Sequence, residues 1–418
     1  MKKKWKKLVL TEVSPSGWLK EQMQMQMNGL TGCLHEKWDS VGTYSGWLGG
    51  TGESWERGPY YLDGLLPLSY YLKDEKHFEI CKKFLDWTLK SQDNEGNFGP
   101  EQTKEDYWSR FIMLKVMIQY YEITKKEEII EFIENYLKYL KTAIEDRHLT
   151  GWTQARTGDV LYVIKWLYER FPAEWMMNLQ REIRRQAIDW TSLFADFPYP
   201  RPTAHYYDWN ALKRFQNEEV VQLMHQTHVV NVSMGLKYAA MEYFFDGDDE
   251  KKKLGIEAPG IVEKYHGIAS GAINGDEHLS GGSPSQGAEL CGVVEQMFSL
   301  ETVYFFASGQ KKLSNWQIGW KELHLMPTRH RSVKITWRIS ICSRRIRFSF
   351  PMQNVTGLIM GTILTCLDWN LTLDVVRQTC IRDGRNLYNT YGFGKTIAWC
   401  LQFRCRTILR RSQKASEL

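Results

Sequence analysis

One arrangement recurs along the chain and limits what it can fold into. An apolar stretch ends in an aromatic cluster, a short polar turn follows, and a charged amphipathic stretch begins. It stands at Tyr70-Tyr71 before Asp74, at Tyr120-Tyr121 before Lys125, and at Trp166 and Tyr168 before Pro172. It returns at Tyr243 to Phe245 before Asp246 and at Tyr304 to Phe306 before Ser308. Within HFEICKKFLDWTLKSQ, Phe78, Cys81, Phe84 and Leu85 fall at three- and four-residue steps, the spacing of one helix face. A helix with one apolar face needs a partner, so each unit reads as a helical hairpin. Hairpins repeated at intervals of roughly 45 to 75 residues form an array.

Such an array either stays open as a solenoid or curls into a ring, and the long loops decide between them. Val41 to Gly58, Phe194 to Pro202 and Gly267 to Gly287 are too long and too rich in Gly, Trp and acids for plain solenoid turns. Gathered at one end of a ring, they make a cleft. The expected fold is therefore all-α, a six-hairpin (α/α) toroid, by analogy at the level of fold. Residues 1–16 form an N-terminal segment and 17–316 an incomplete toroid.

Composition narrows the function classes. With 43% hydrophobic residues the chain is globular rather than disordered, and its 17 Trp suit packing between helices or a cleft lined by flat rings. The lysines of MKKKWKKLVL precede only Leu8, Val9 and Leu10, too short a run for a signal peptide, and no transmembrane stretch follows. The eight cysteines lie at irregular spacing, as in a reducing compartment, so a cytoplasmic location is expected. From Ser314 onward there are 17 Lys and Arg against 5 Asp and Glu, so a chain of net charge +5 has an acidic body and a basic tail.

The chemistry-bearing stretch is SGAINGDEHLSGGSPSQGAELCGVVEQMF, from Ser270 to Phe298. Asp276, Glu277 and His278 stand between glycines, and Glu289 and Cys291 stand two apart where an apolar helix begins. A carboxylate and a thiolate can share a metal ion, although a closed zinc site takes about four ligands. A first-turn glutamate and a buried cysteine are the plainer alternative.

These residues sit in a wider pattern. SGWLGGTGESWERGPYYLDGLLPL from Ser45, YWSRFIMLKVMIQYYE from Tyr107, GDVLYVIKWLYER from Gly158, THVVNVSMGLK from Thr227, HGIASGAINGDEHLSG from His266 and GAELCGVVEQMFSLE from Gly287 occur in order. Together they resemble glycoside hydrolase family 127, the β-L-arabinofuranosidase family. The resemblance implies a retaining mechanism in which a zinc-bound cysteine thiolate attacks the sugar and a glutamate serves as acid and base. Carried over, it makes Glu289 and Cys291 zinc ligands, Glu277 the acid/base with Asp276 as its rival or as a substrate contact, and His228 a sugar-binding residue. Trp55, Glu56, Tyr60 and Asp63 are further substrate-binding candidates in the cleft.

The tail departs from that pattern. The family's nucleophile lies in a Cys-Cys segment, and this chain contains no Cys-Cys; in its place stands LDVVRQTCIRDG, Leu373 to Gly384. Synonymous codons for that stretch, read from the third base, spell Gly-Cys-Cys-Pro-Ala-Asn-Met-His-Gln-Gly-Trp. The same offset after Trp316 turns QIGWKELHLM into a natural continuation of the preceding helix. Residues 317–418 are accordingly expected to be out-of-frame text with no domain of their own. The expected function is hydrolysis of L-arabinofuranosides or related plant glycans, impaired here by loss of the nucleophile segment. A catalytically inactive glycan-binding protein and a helical-repeat interaction scaffold are the alternatives. The expected partners are a carbohydrate and a zinc ion, with no nucleic acid and no membrane.

Overall fold

The computed structural model of the chain describes residues 8–206, 218–268 and 271–306, together with 334–341 and 344–351. Helices dominate. After α1 (Gly17–Asn28) and α2 (Leu30–Lys37), pairs follow in sequence: α3 (Arg57–Leu72) with α4 (Glu75–Lys90), and α5 (Trp108–Thr124) with α6 (Glu127–Asp146). A short α7 (Gly151–Ala155) leads into α8 (Gly158–Tyr168) and α9 (Glu174–Gln186), and α10 (Trp190–Ala195) closes that part. Then come α11 (Glu218–Thr227), α12 (Val229–Gly235), α13 (Tyr238–Asp246), α14 (Asp249–His266) and α15 (Leu290–Phe306).

The pairs sort into two layers. Helices α3, α5, α8 and α13 are apolar around most of their circumference, the first three buried over most of their length and α13 over its first half, Tyr238 to Glu242. Helices α4, α6 and α9 carry one apolar face and one charged face. A helix hydrophobic all round belongs inside, and an amphipathic one belongs at the surface. Accordingly α3, α5, α8, α13 and α15 neighbour one another in that order, each of α3, α5, α8 and α13 backed by the helix that follows it. This is the layered arrangement of an (α/α) toroid, as the sequence predicts.

The expected turns fall where the aromatic clusters end. Helix α3 stops at Lys73, which takes a left-handed conformation at φ 55°, and Asp74 then caps α4 by accepting the His77 N–H at 3.0 Å. Lys125 repeats the device at φ 58° between α5 and α6. Asp248 caps α14 in the same way, accepting the Glu250 N–H at 2.9 Å. The turn expected at Ser308 lies outside the described residues.

The tail, expected to lack ordered elements, contains one antiparallel hairpin, β1 (Lys334–Ile341) and β2 (Arg344–Pro351), in register from Lys334 opposite Pro351 to Ile341 opposite Arg344. Its sequence alternates apolar and polar residues in both strands, the period of a strand. The segment Leu373 to Gly384 and Trp316 lie outside the described residues. Among the described residues no helix is long and apolar enough to cross a membrane.

Candidate functional site

The site begins where one helix breaks. At the junction of α11 and α12, His228 leaves helical geometry with ψ 123°, so its backbone can pair with something other than the next turn. What it meets is the glycine-rich loop. A single antiparallel bridge joins His228 to His278, in which Val229 N–H donates to Glu277 O and Leu279 N–H donates to Thr227 O, both at 2.9 Å.

The same loop is fastened at its other end to the start of α15. Gly275 N–H donates to Gly287 O at 3.0 Å, and Glu289 N–H donates to Gly275 O at 2.6 Å. Gly275 sits at φ +151°, and a Cβ there would lie 2.2 Å from His278 O, so only glycine lets the two ends meet. Two buried side chains hold the interior of the loop. Asn274 Nδ2 donates to Gly281 O and Ser283 O, while His266 Nδ1 accepts the Gly281 N–H and its Nε2–H donates to Tyr199 O.

Three ligating side chains converge as a result. Atoms of His228, Glu277 and Glu289 that could bind a metal all lie within 4.8 Å of one another. His228 Nε2 is 3.3 Å from Glu277 Oε2; the histidine side chain is 7% exposed and the glutamate 46%, so one acid faces solvent while the imidazole is enclosed. Burial depresses the His228 pKa, and the nearby Arg156 adds to that against the opposing pull of Glu277. A neutral imidazole with two carboxylates suits a divalent cation such as zinc.

Cys291 does not join this group. Its side chain is partly buried against the hydrophobic core. Asp276 is exposed at the tip of the loop.

Of the predicted cleft residues, Glu56 is linked to the trio through residues that the sequence did not flag. Glu56, on the loop before α3, accepts the Trp108 Nε1–H at 2.8 Å and stands 3.5 Å from Arg156. Arg156 is enclosed between the rings of Trp108 and Trp152, at 4.7 and 4.6 Å, and donates through Nε to Asn231. Trp152 in turn meets His228 edge-on at 5.0 Å. Trp55 is half-buried, its carbonyl accepting the Trp47 indole N–H. Tyr60 and Asp63 point elsewhere, into a buried charged cluster between the inner helices. Tyr60 donates to Glu295 at 3.4 Å, and Asp63 accepts from Gln119 at 2.6 Å. Burial pushes the Asp63 carboxyl up to about 6 against the opposing charge of Lys115.

A second glycine sets how closely α12 and α15 approach. A Cβ on Gly292 would lie 2.5 Å from Val229 Cγ1, below any real contact. Gly292→Ala is expected to cost about 1–3 kcal/mol by overpacking. Gly247→Ala, in open space at φ +73°, is the comparison and should cost about 1–2 kcal/mol of backbone strain. Urea midpoints check the stability of both. Any divalent-cation affinity of the trio should fall only in the first, because only that one moves Glu289 away from His228.

No family model matches the sequence, and no curated protein matches it. Among solved structures the fold is similar to that of a GH127 beta-L-arabinofuranosidase from Geobacillus stearothermophilus T6, with a TM-score of 0.52 at 12% identity over 74% of this chain. The match covers 55% of that enzyme, so the chain spans about half the length of the structure it resembles.

Proposed function

We propose that the chain is the toroid portion of a glycoside hydrolase acting on L-arabinofuranosides or related plant glycans, with zinc held by His228, Glu277 and Glu289. The observation that carries this reading is the convergence of those three side chains beside tryptophans in a fold similar to that of a glycosidase. Bound zinc would supply positive charge for lowering a thiol pKa or polarising a sugar oxygen.

A carboxylate that binds a cation is held ionised, so Glu277 cannot carry a proton and ligate zinc at once. His228, enclosed, and Glu289, partly buried with its Oε2 shut off from solvent, are the lasting donors. Glu277, half-exposed, is the one that can exchange cation for proton and serve a leaving oxygen as acid. Asp276, exposed, and Trp152, partly exposed beside His228, would contact the sugar.

The chain as written lacks the nucleophile segment, and turnover is proposed to be impaired by loss of one base near the codon for Trp316. Resequencing that codon tests the shift directly. The protein should retain zinc on dialysis, with affinity falling at least about tenfold in Glu289→Gln. It should also quench its tryptophan fluorescence on adding an aryl arabinofuranoside. Absence of zinc binding and of any sugar response would overturn the reading, and vigorous hydrolysis by this polypeptide would overturn the impairment.

A further inference from the structure

A buried charged cluster lies between the inner helices, away from the zinc-ligating trio. Asp159, at the start of α8, is fully buried and takes two lysines at 2.7 Å each: Lys115 from α5 and Lys237 from the elbow between α12 and α13. Both ammonium groups also lie over the ring of Phe298 on α15, at 5.0 and 5.2 Å. About one turn nearer the trio, Glu295 of α15 accepts the hydroxyl of Tyr60 on α3. Five inner helices thus meet at one cluster of charge.

Two of the segments it ties are those that carry the lasting donors. Lys237 ends the stretch that His228 begins, and Phe298 and Glu295 lie on the helix that Glu289 leads into. We infer that the Lys115–Asp159–Lys237 triad is a positioning device that sets the rotation of α15 against α12, and so the approach of Glu289 to His228 and Glu277. Long charged side chains in an apolar layer have few alternative partners, so the pairings admit one rotation of α15 where hydrophobic contacts alone would admit several. The consequence for metal affinity rests on the zinc reading given above; the positioning itself does not.

The experiment compares Lys237→Met, Phe298→Leu and Leu140→Ala, the last a buried residue of the outer helix α6 that serves as a control for general destabilisation. Phe298→Leu removes both ring contacts without stranding a charge, and so decides the matter should Lys237→Met fail to fold. Two quantities are read: hydrogen exchange at the Gly275 and Glu289 amides, and the affinity and absorption spectrum of bound Co²⁺. Triad variants are expected to exchange faster at those amides and to bind Co²⁺ about tenfold more weakly with an altered spectrum, while Leu140→Ala leaves both unchanged. Exchange at Gly275 and Glu289 that responds no more to the triad variants than to Leu140→Ala overturns the inference. A wild-type chain that binds no Co²⁺ overturns the zinc reading instead, and the exchange comparison then decides the positioning alone.

Discussion

Asp159→Ala is expected to cost about 3–5 kcal/mol, the loss seen when one partner of a buried ion pair is removed and the other charge stays behind. Here two ammonium groups would be stranded, with Lys237 fully enclosed. Burial alone would raise the Asp159 pKa, yet Lys115 and Lys237 hold it down to about 2. Burial likewise works to lower Lys115, and Asp159, Glu295 and Asp63 carry it above the ordinary lysine value instead. Asp159 and Lys115 are therefore charged at neutral pH. The same physics says that the triad as a whole contributes little net stability, because desolvating it offsets most of its attraction. A triple replacement of Lys115, Asp159 and Lys237 by Met, Leu and Met is expected to unfold at a urea midpoint much nearer the wild type than Asp159→Ala. A single variant as stable as the wild type would mean that water reaches the lysines.

These residues also mark the limit of what the sequence discloses. The helical pairs were legible because burial on one face leaves a three- and four-residue step in the letters, as in Phe78, Cys81, Phe84 and Leu85. Glu277 and Glu289 were legible as acids set among glycines, and Gly275 and Gly292 explain why glycine is there. The pairing of Glu289 with Cys291 follows from proximity in sequence, and helix geometry works against it. Once α15 begins at Leu290, residues two apart point to different sides, so the thiol turns to the core while the carboxylate faces His228. His228 was placed in the site as a sugar contact; its grouping with the two acids depends on the break between α11 and α12, which no local pattern announces. Lys115, Asp159 and Lys237 carried a signal of another kind, single charges inside apolar helical runs (MLKVM, GDVLY and GLKYA). Arg156 and Trp152 had none, because their partners lie far away in the chain.

Acid should loosen the site before it unfolds the rest. Burial, aided by His228, depresses both His225 and His278 from 6.5 to about 4, and burial also lowers His228 and His266. A histidine with a depressed folded pKa stays neutral where the unfolded chain has already taken a proton. The unfolded state then binds more protons, and stability falls as pH drops from about 6.5 towards 4. Each such group contributes at most about 1.4 kcal/mol per pH unit within that window. Asp63 acts in the opposite sense, since its carboxyl is raised from 3.8 to about 6 and gains its proton in the folded state first. Two histidines outweigh one aspartate, so a net loss of about 2 kcal/mol is expected between pH 7 and pH 5, with little change above pH 7. His225→Gln should flatten the slope by one proton, because glutamine in that pocket keeps a polar group near Asn231 Nδ2, where His225 Nδ1 stands at 3.3 Å, without titrating. Urea midpoints that stay constant between pH 7 and pH 5 would mean that these imidazoles are hydrated, and that the loop holding Glu277 opens readily enough to protonate them without unfolding.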